Sequence, residues 1–365
     1  MMRPSLPLAL VLLALANAPG AAQEVALPTP EEYARLAAEA EAAPLFASHD
    51  ALAMTLRTDI SWIRDERSDS VEVDGTLTYT GRDGVEVTLD VKVRARGDFR
   101  RDKRNCNFPP LRLNLAGEQV EGTLFEGQDK LKLVTPCQDS RDAFQQYILQ
   151  EYLVYRIYQL LTPVSFRVRL VTITYEDPNG GYDTRTKTGF LIEADEQLAA
   201  RNRGLVEEVT QFHPAAMEPE QDALVSMFQY MIGNTDYSGP FFHNAILVRG
   251  EGGEHLLVAY DFDWSGVVDA RYAVPDGRLP IEDVRQRIYR GFCRPSVDTA
   301  ALVKRFNDQR EAVWALYEGM PGLDEGVKKK SLAYYEDFYE ILNDPRRYDR
   351  DVTRACQEIP ADSGP

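Results

Sequence analysis

Hydrophobic and polar residues alternate along the chain from Ala51 to Leu115, which is the pattern of short, half-buried strands. Turn residues such as Gly81 to Gly84 separate the alternating runs LAMTLRTDI, SVEVDGTLTYT, VEVTLDVKVRARG and PPLRLNL. The segment from Lys130 to Val134 continues the alternation and places both of its lysines on one face. These segments predict an antiparallel sheet.

A helical period begins after Asp139 and Ser140, which supply an N-cap, and apolar residues recur at helical spacing as far as Leu160. Two alternating runs, RVRLVTITYE and TKTGFLIEA, then predict a hairpin. Beyond Asp195 the pattern is mainly helical. It includes the segments DALVSMFQYMIGNTD and DTAALVKRFNDQREAVWALYEGM, with two short strands, NAILVRG and EHLLVAYDFD, between them.

The order of these segments predicts an α+β chain with a sheet-rich half, a helix-rich half and a cleft between them. We expect a helical lead-in over residues 23–50, a sheet-rich lobe with one helix over 51–195, and a helix-rich lobe over 196–365. Residues 1–22 have the charged, apolar and small-residue order of a signal peptide, with cleavage expected near Ala22; an uncleaved anchor is the alternative. No later run approaches the roughly 20 apolar residues of a transmembrane helix. We therefore expect an exported protein, periplasmic or extracellular.

Acidic residues dominate the charge of the chain. Without residues 1–22, 40 lysines and arginines face 58 aspartates and glutamates, which gives a net charge of −18. This balance disfavours nucleic acid and anionic membranes as partners. The basic run RARGDFRRDKR is conspicuous against it, and is either a solvated hairpin or an edge that faces phosphate or another polyanion.

An even number of cysteines in an exported chain without a CxxC pair favours two disulfides over a metal site. Three pairings of the four cysteines are possible. Proximity along the chain suggests Cys106 with Cys137 and Cys293 with Cys356, while free buried thiols are the alternative.

Polar residues interrupt apolar surroundings in four separate segments. They are the strand around Lys132, the helix position Glu151, the stretch from Asp236 to Asn244, and the run YDFDWSG that contains Asp261. Phosphoryl transfer from a nucleotide uses a strand lysine on the phosphates, a helix glutamate that orients it, an acid near the attacking hydroxyl, and Asn and Asp side chains that bind metal. The four segments follow one another in the order found in kinases.

The string LKLVTPCQDSRDAFQQYILQEYLVYRIYQLL, followed by VRLVTITY and GFLIEAD, resembles the CotH family of kinase-like proteins. ARGDFRR resembles the Arg-Gly-containing turn of that family, and YDFDWSG resembles its aromatic-Asp-x-Asp motif. The likeness runs from about Val91 to Val274, and its specificity comes from the order of short motifs. It implies an atypical protein-kinase-like fold of two lobes. It also implies an exported kinase or phosphotransferase that uses ATP and Mg²⁺ or Mn²⁺ to phosphorylate a hydroxyl group of a protein or small molecule.

Carried over to this chain, the resemblance assigns nucleotide contacts to Lys132, which would pair with Glu151. Arg96 joins them because arginines occupy the place of a glycine-rich phosphate loop. Glu193 falls where the linker between the two lobes would be. Asp236 would be the catalytic acid that orients or deprotonates the acceptor hydroxyl.

The resemblance also implies a metal site. Asn244 and Asp261 would bind the cation, with Asp263 as a second carboxylate, because hard divalent cations prefer oxygen ligands. Asp236 and Asn244 are eight positions apart, whereas ordinary kinases separate these two residues by five, so the loop between them has to bulge.

Other interpretations of these residues remain open. Lys132 could simply lie on the solvent face of its strand, Glu151 could be a buried acid with a structural partner, and Asp236 could be a turn residue. The missing glycine-rich loop favours a catalytically inactive protein that acts as a cell-envelope assembly or binding module. A metal-dependent hydrolase that uses the same carboxylates is a weaker alternative.

Overall fold

A computed structural model describes residues 27–361 of the chain. The predicted signal peptide, residues 1–22, lies outside the described residues. Across residues 27–361, no helix has both the length and the apolar character needed to cross a membrane.

The strands of the described part form two sheets. Their bounds are β1 Leu52–Thr58, β2 Val73–Thr80, β3 Glu86–Ala95, β4 Leu111–Leu115, β5 Lys130–Val134, β6 Val168–Glu176, β7 Arg185–Ile192, β8 Gly204–Glu207, β9 Ala245–Gly250 and β10 His255–Ala259. The first seven close into a barrel in the order β1–β2–β3–β4–β5–β7–β6. The last three form a small separate sheet in the order β10–β9–β8.

The barrel closes because β1 pairs in parallel with β6, placing Leu52 opposite Val171 and Leu56 opposite Tyr175. The other neighbours in the barrel pair antiparallel. Alternate residues such as Leu56 and Leu113 point inward and are fully buried, as the period of two requires. The expected two-lobed, kinase-like fold is therefore wrong, since the sheet-rich part is a closed mixed barrel. Alternation shows which residues face a core, but it does not show that the sheet returns to its own first strand.

Helices flank the barrel and outnumber the strands in the second half of the described chain. Their bounds are α1 Pro30–Ala42, α2 Ile60–Glu66, α3 Gly117–Val120, α4 Ala143–Leu161, α5 Asp195–Arg201, α6 Pro219–Ile232, α7 Thr299–Asp308, α8 Arg310–Glu318, α9 Glu325–Asn343 and α10 Pro345–Tyr348. Helix α4 packs its apolar residues against the outer side of β6 and β7 and against α6, so that its residues Ile148, Tyr155 and Tyr158 share one core with Phe190 and Phe228. This core lies outside the barrel, and α4 is the element that joins the two parts of the molecule.

Three local predictions differ from the structure. The stretch after Asp195 was expected to be helical but contains β8, which is paired antiparallel with β9. The long helix expected from residue 298 to residue 320 is divided into α7 and α8 at Gln309. The end of the first predicted strand forms α2, because the Asp59 side chain accepts a hydrogen bond from the backbone of Trp62 and caps a short helix there.

The predicted disulfides are confirmed. Cys106 pairs with Cys137 and Cys293 pairs with Cys356. The first bridge ties the loop between β3 and β4 to the chain that follows β5. The second ties the C-terminal segment to the loop that precedes α7. Two disulfides fit an exported protein.

Candidate functional site

Glu151 is the most unusual buried side chain of helix α4. It is 1% exposed, and both of its carboxylate oxygens are buried without a hydrogen-bond partner among the described residues. A buried carboxylate without hydrogen-bond partners destabilises the folded protein. A carboxylate that is kept in such a place therefore commonly binds a ligand or takes up a proton.

Asp261 and Asp263 follow strand β10 and lie beside Glu151. The backbone N–H of Asp261 donates a hydrogen bond of 2.9 Å to the hydroxyl of Tyr155, which is one helical turn after Glu151 on α4. Asp261 has a φ of +62°, a left-handed conformation that is uncommon for a residue other than glycine. Asp263 is 4% exposed and accepts a 2.9 Å hydrogen bond from the hydroxyl of Tyr272.

We call Glu151, Asp261 and Asp263 the acidic cluster. Burial raises the pKa of Glu151 well above its ordinary value, and the charges of Asp263 and Asp261 raise it further. Burial, with a further contribution from Asp261, raises the pKa of Asp263 to about 7. Full ionisation of the three carboxyls would therefore place more negative charge in the site than its surroundings compensate, and the raised pKa values favour protonated forms of Glu151 and Asp263.

Arg100 is the cation closest to the acidic cluster. Its Nη1 lies 3.8 Å from Oδ2 of Asp263, and its Nη2 donates a hydrogen bond to the carbonyl of Thr135. The contacts that hold the loop carrying it include the Cys106–Cys137 disulfide and the ring of Phe99, which packs edge-on against Trp264 at 5.0 Å. The loop thus delivers one positive charge to a cluster of three carboxylates.

Lys132 lies on the outer side of β5 at the junction between barrel and helices. Its Nζ bonds Oδ1 of Asp195 at 2.6 Å and sits 5.4 Å from the ring centre of Phe166 and 5.1 Å from that of Tyr260. The expected pair with Glu151 is not formed. Burial lowers the pKa of Lys132 while Asp195 opposes that shift, so the ammonium is held by a different acid from the one predicted.

Arg96 acts electrostatically on both Lys132 and Glu151. Burial, followed by the charge of Arg96, lowers the pKa of Lys132, and Arg96 also counteracts the raised pKa of Glu151. The predicted phosphate-binding arginine is therefore within electrostatic reach of both the lysine and the acidic cluster.

Asp236 and Asn244 are in direct contact. Helix α6 ends at Gly233, which has a left-handed φ of +67°, and the chain then turns so that Nδ2 of Asn244 donates to Oδ2 of Asp236 at 3.0 Å. Nε2 of His243 lies 2.9 Å from the other oxygen, Oδ1. Asn244 itself has a φ of +51°, and Ser238 pairs with His243, so the chain between Asp236 and Asn244 folds back on itself and brings the two side chains into contact.

A cavity of about 1020 Å³ opens beside Asp236 and His243. Its walls include Trp264 and Leu257, and Arg290 closes one side by donating a 2.8 Å hydrogen bond to the carbonyl of Tyr237. Asp236 also contributes to the raised pKa of Asp263, after burial and Asp261. Asp236 therefore faces the cavity while lying within electrostatic reach of the acidic cluster.

Glu193 lies apart from the acidic cluster. It is 1% exposed, forms a 3.0 Å ion pair with Arg201 and accepts a 2.9 Å hydrogen bond from the backbone of Arg167. These contacts fasten α5 to the end of β7. The structure accordingly gives Glu193 a structural partner and no free charge for a nucleotide.

Sequence reasoning did not single out Arg100, Tyr272 or Asp195. Arg100 belongs to the conspicuous basic run, which is the signal that could have identified it. Asp195 follows the hairpin strand directly, and only the pairing of Lys132 with Ile192 across β5 and β7 brings it near the lysine.

Phosphate and water oxygens would have to complete the ligands of a divalent cation at the acidic cluster. In the part of the chain that the structure describes, no three His, Cys, Asp or Glu side chains are close enough to hold a metal ion by themselves. Mg²⁺ in nucleotide sites usually takes only one or two carboxylates, and water and phosphate oxygens complete its ligands. The unpartnered Glu151 and the raised pKa of Asp263 indicate that a cation would be stabilised here. In comparisons with protein-family models and with characterised proteins, nothing matches this chain, so the resemblance to CotH stays a prediction.

Proposed function

We propose that the chain is an exported phosphotransferase that moves a phosphoryl group from a nucleotide to a hydroxyl group with a divalent cation bound. One observation carries the proposal: Glu151, Asp261, Asp263, Asp236 and Lys132 come from distant segments and lie around one region where the barrel meets the helices. Their residue types match the requirements of phosphoryl transfer. The order of the CotH-like motifs along the chain supports the same chemistry, without requiring the fold of that family.

The acidic cluster and the nearby cations have separate roles in this proposal. A divalent cation at Asp261 and Asp263 would neutralise charge on the transferred phosphoryl group. Arg96 supplies guanidinium donors to the phosphate oxygens. Lys132 does the same once a phosphate competes with Asp195 for its ammonium group.

Asp236 is the residue suited to the acceptor. Contacts with His243 and Asn244 fix the orientation of its carboxylate, and the side chain of Asp236 remains 36% exposed at the cavity. A hydroxyl group bound in the cavity can donate its hydrogen bond to Asp236, which then accepts the proton as the phosphoryl group is transferred. A protein segment or a small alcohol both fit a cavity of this size.

Thermal unfolding of the mature protein with ATP or ADP, with and without Mg²⁺ or Mn²⁺, tests the proposal. The melting temperature of the wild type should rise with nucleotide and metal together, and Asp261→Asn should lose most of that rise. The matched control is Asp183→Asn, which makes the same chemical change at a side chain that is 92% exposed in a hairpin tip. No nucleotide-dependent rise in the wild type, or equal rises in the wild type and Asp261→Asn, would contradict the proposal.

A non-catalytic binding module is the second candidate, and the 2.6 Å pair of Lys132 with Asp195 favours it, because the lysine is already neutralised. The rate at which protein saturated with ATP converts ATP to ADP distinguishes the two functions. A binding module would show the nucleotide-dependent rise in melting temperature without turnover. Phosphate release from simple esters in the absence of nucleotide would instead indicate a metal-dependent hydrolase.

A further inference from the structure

Three cations lie directly opposite one another on neighbouring barrel strands. Arg94 on β3 faces Arg112 on β4, and Arg112 faces Lys132 on β5. The residues that alternate with them, such as Val93 and Leu113, are fully buried in the barrel, so the three cations share its outer face. Adjacent strands are about 4.8 Å apart, and like charges directly opposite destabilise a sheet. We call Arg94, Arg112 and Lys132 the cation ladder.

The described residues compensate the cation ladder only at its two ends. Nε of Arg94 is 4.0 Å from Glu72, and Lys132 is paired with Asp195. The side chain of Arg112, in the middle, makes no hydrogen bond or ion pair within residues 27–361, and its Nε is buried without an acceptor. Burial lowers the pKa of Arg94, and the charge of Arg112 is the next largest cause of that shift.

The neighbouring row on the same outer face is built differently. There Asp74 is opposite Lys92, Lys92 is opposite Asn114, and Asn114 is opposite Lys130. An acid and an amide therefore separate or balance the cations in that row. Three aligned cations are thus not a general property of this face, and they are the less expected in a chain with 58 acidic and 41 basic residues.

We infer that the cation ladder binds a linear phosphate chain, such as the triphosphate of a nucleotide or inorganic triphosphate. Several cations at strand spacing suit an anion that carries several charged groups, and charge-assisted hydrogen bonds to arginine are strong. Arg96, two residues beyond Arg94, adds a further cation toward Glu151. This inference rests on the proposed function, because Lys132 and Arg96 belong to the proposed nucleotide site; Arg94 and Arg112 extend that site along the sheet.

Binding of inorganic triphosphate and of ATP to the mature protein, measured by calorimetry in EDTA, tests the inference. Arg112→Gln on β4 removes the central charge. Lys130→Gln is the matched control on the neighbouring strand β5 and the same outer face, where the side chain is 51% exposed beside Asp129. We expect Arg112→Gln to weaken both ligands by about tenfold or more, and Lys130→Gln to leave both affinities within about twofold of the wild type. Arg94→Gln, made in parallel, should weaken them as well, so the test does not depend on the folding of one variant.

The melting temperature without ligand provides an independent readout. Removing a like charge and a buried Nε without an acceptor should raise the melting temperature of Arg112→Gln while triphosphate binding is lost. The inference is overturned if triphosphate does not bind the wild type, or if Arg112→Gln and Lys130→Gln bind it equally. Asp261→Asn should keep this metal-free binding, so a failure of the proposed phosphotransferase activity and a failure of the cation ladder give different results.

Discussion

Replacing Asp263 with asparagine should change how the stability of the protein depends on pH. Asp263 is buried, and burial together with Asp261 raises its pKa from 3.8 to about 7. The groups within electrostatic reach of it are Glu151, Asp261, Asp236, Arg100 and Tyr272. Asparagine keeps an acceptor for the Tyr272 hydroxyl and has no charge to titrate.

The sign and size of the effect follow from proton binding. Below about pH 4 the carboxyl is protonated in both the folded and the unfolded state. Between about pH 4 and 7 the unfolded state releases this proton while the folded state retains it, so the free energy of unfolding of the wild type falls as the pH rises. A pKa change from 3.8 to about 7 corresponds to a loss of about 4 kcal/mol over that interval. Asp263→Asn should lack this loss.

Urea unfolding followed by tryptophan fluorescence at several pH values between 4 and 8 measures the effect. The difference between the free energies of unfolding of Asp263→Asn and the wild type should move in favour of the variant by up to about 4 kcal/mol across this range. Asp263→Asn removes a charged partner of Arg100 only above about pH 7, where the wild-type carboxyl is ionised, so this loss does not alter the trend between about pH 4 and 7. Parallel pH profiles for the two proteins would refute the assignment of a buried, raised carboxyl at Asp263, and Asp183→Asn should follow the wild type throughout.

Three further predictions concern the fold. Gly233→Ala should destabilise the protein by more than about 1 kcal/mol in thermal unfolding, because Gly233 has a φ of +67° and a Cβ there would lie 1.9 Å from the Tyr334 hydroxyl. Adding Tyr334→Phe to this variant should recover part of the lost stability. Removing the Cys293–Cys356 bridge by a double serine substitution should cost about 4 kcal/mol in denaturant unfolding under oxidising conditions, and an equal stability of the two proteins in that assay would contradict this. Leu56→Ala should cost about 2–5 kcal/mol, since Leu56 is fully buried in the barrel; a loss below about 1 kcal/mol would mean that the barrel interior is not packed as described.

Local patterns predicted most of the strands and several helices, because burial on one face imposes a period of two or of 3.6 on the sequence. They could not predict that β1 pairs with β6, since closure depends on contacts between residues more than 100 positions apart. They also missed β8, a strand of four residues whose partner is β9. The disulfide pairing was predicted from chain proximity alone and is confirmed.

At the candidate site, sequence reasoning identified residue types better than partners. It selected Glu151 and Asp263, which the structure places in one buried group. It paired Lys132 with Glu151, whereas the strand register of β5 and β7 puts Asp195 next to the lysine. The register between two strands determines which side chains are neighbours across a sheet. Register depends on both strands, so the sequence of one strand alone does not predict it.

This molecule contains both a group of carboxyls and a group of cations whose charges are incompletely compensated. The acidic cluster would hold more negative charge than Arg100 compensates if all three carboxyls were ionised, and the cation ladder contains an arginine side chain without a partner among the described residues. A ligand of one sign would relieve only one of these costs and would be repelled by the other group. A divalent cation bound to a phosphate chain carries both signs at a short separation, so it can bring positive charge to the carboxylates and negative charge to the ladder at once. This complementarity is the physical reason to test metal and phosphate chain together as well as separately, and it predicts that each should bind more tightly in the presence of the other.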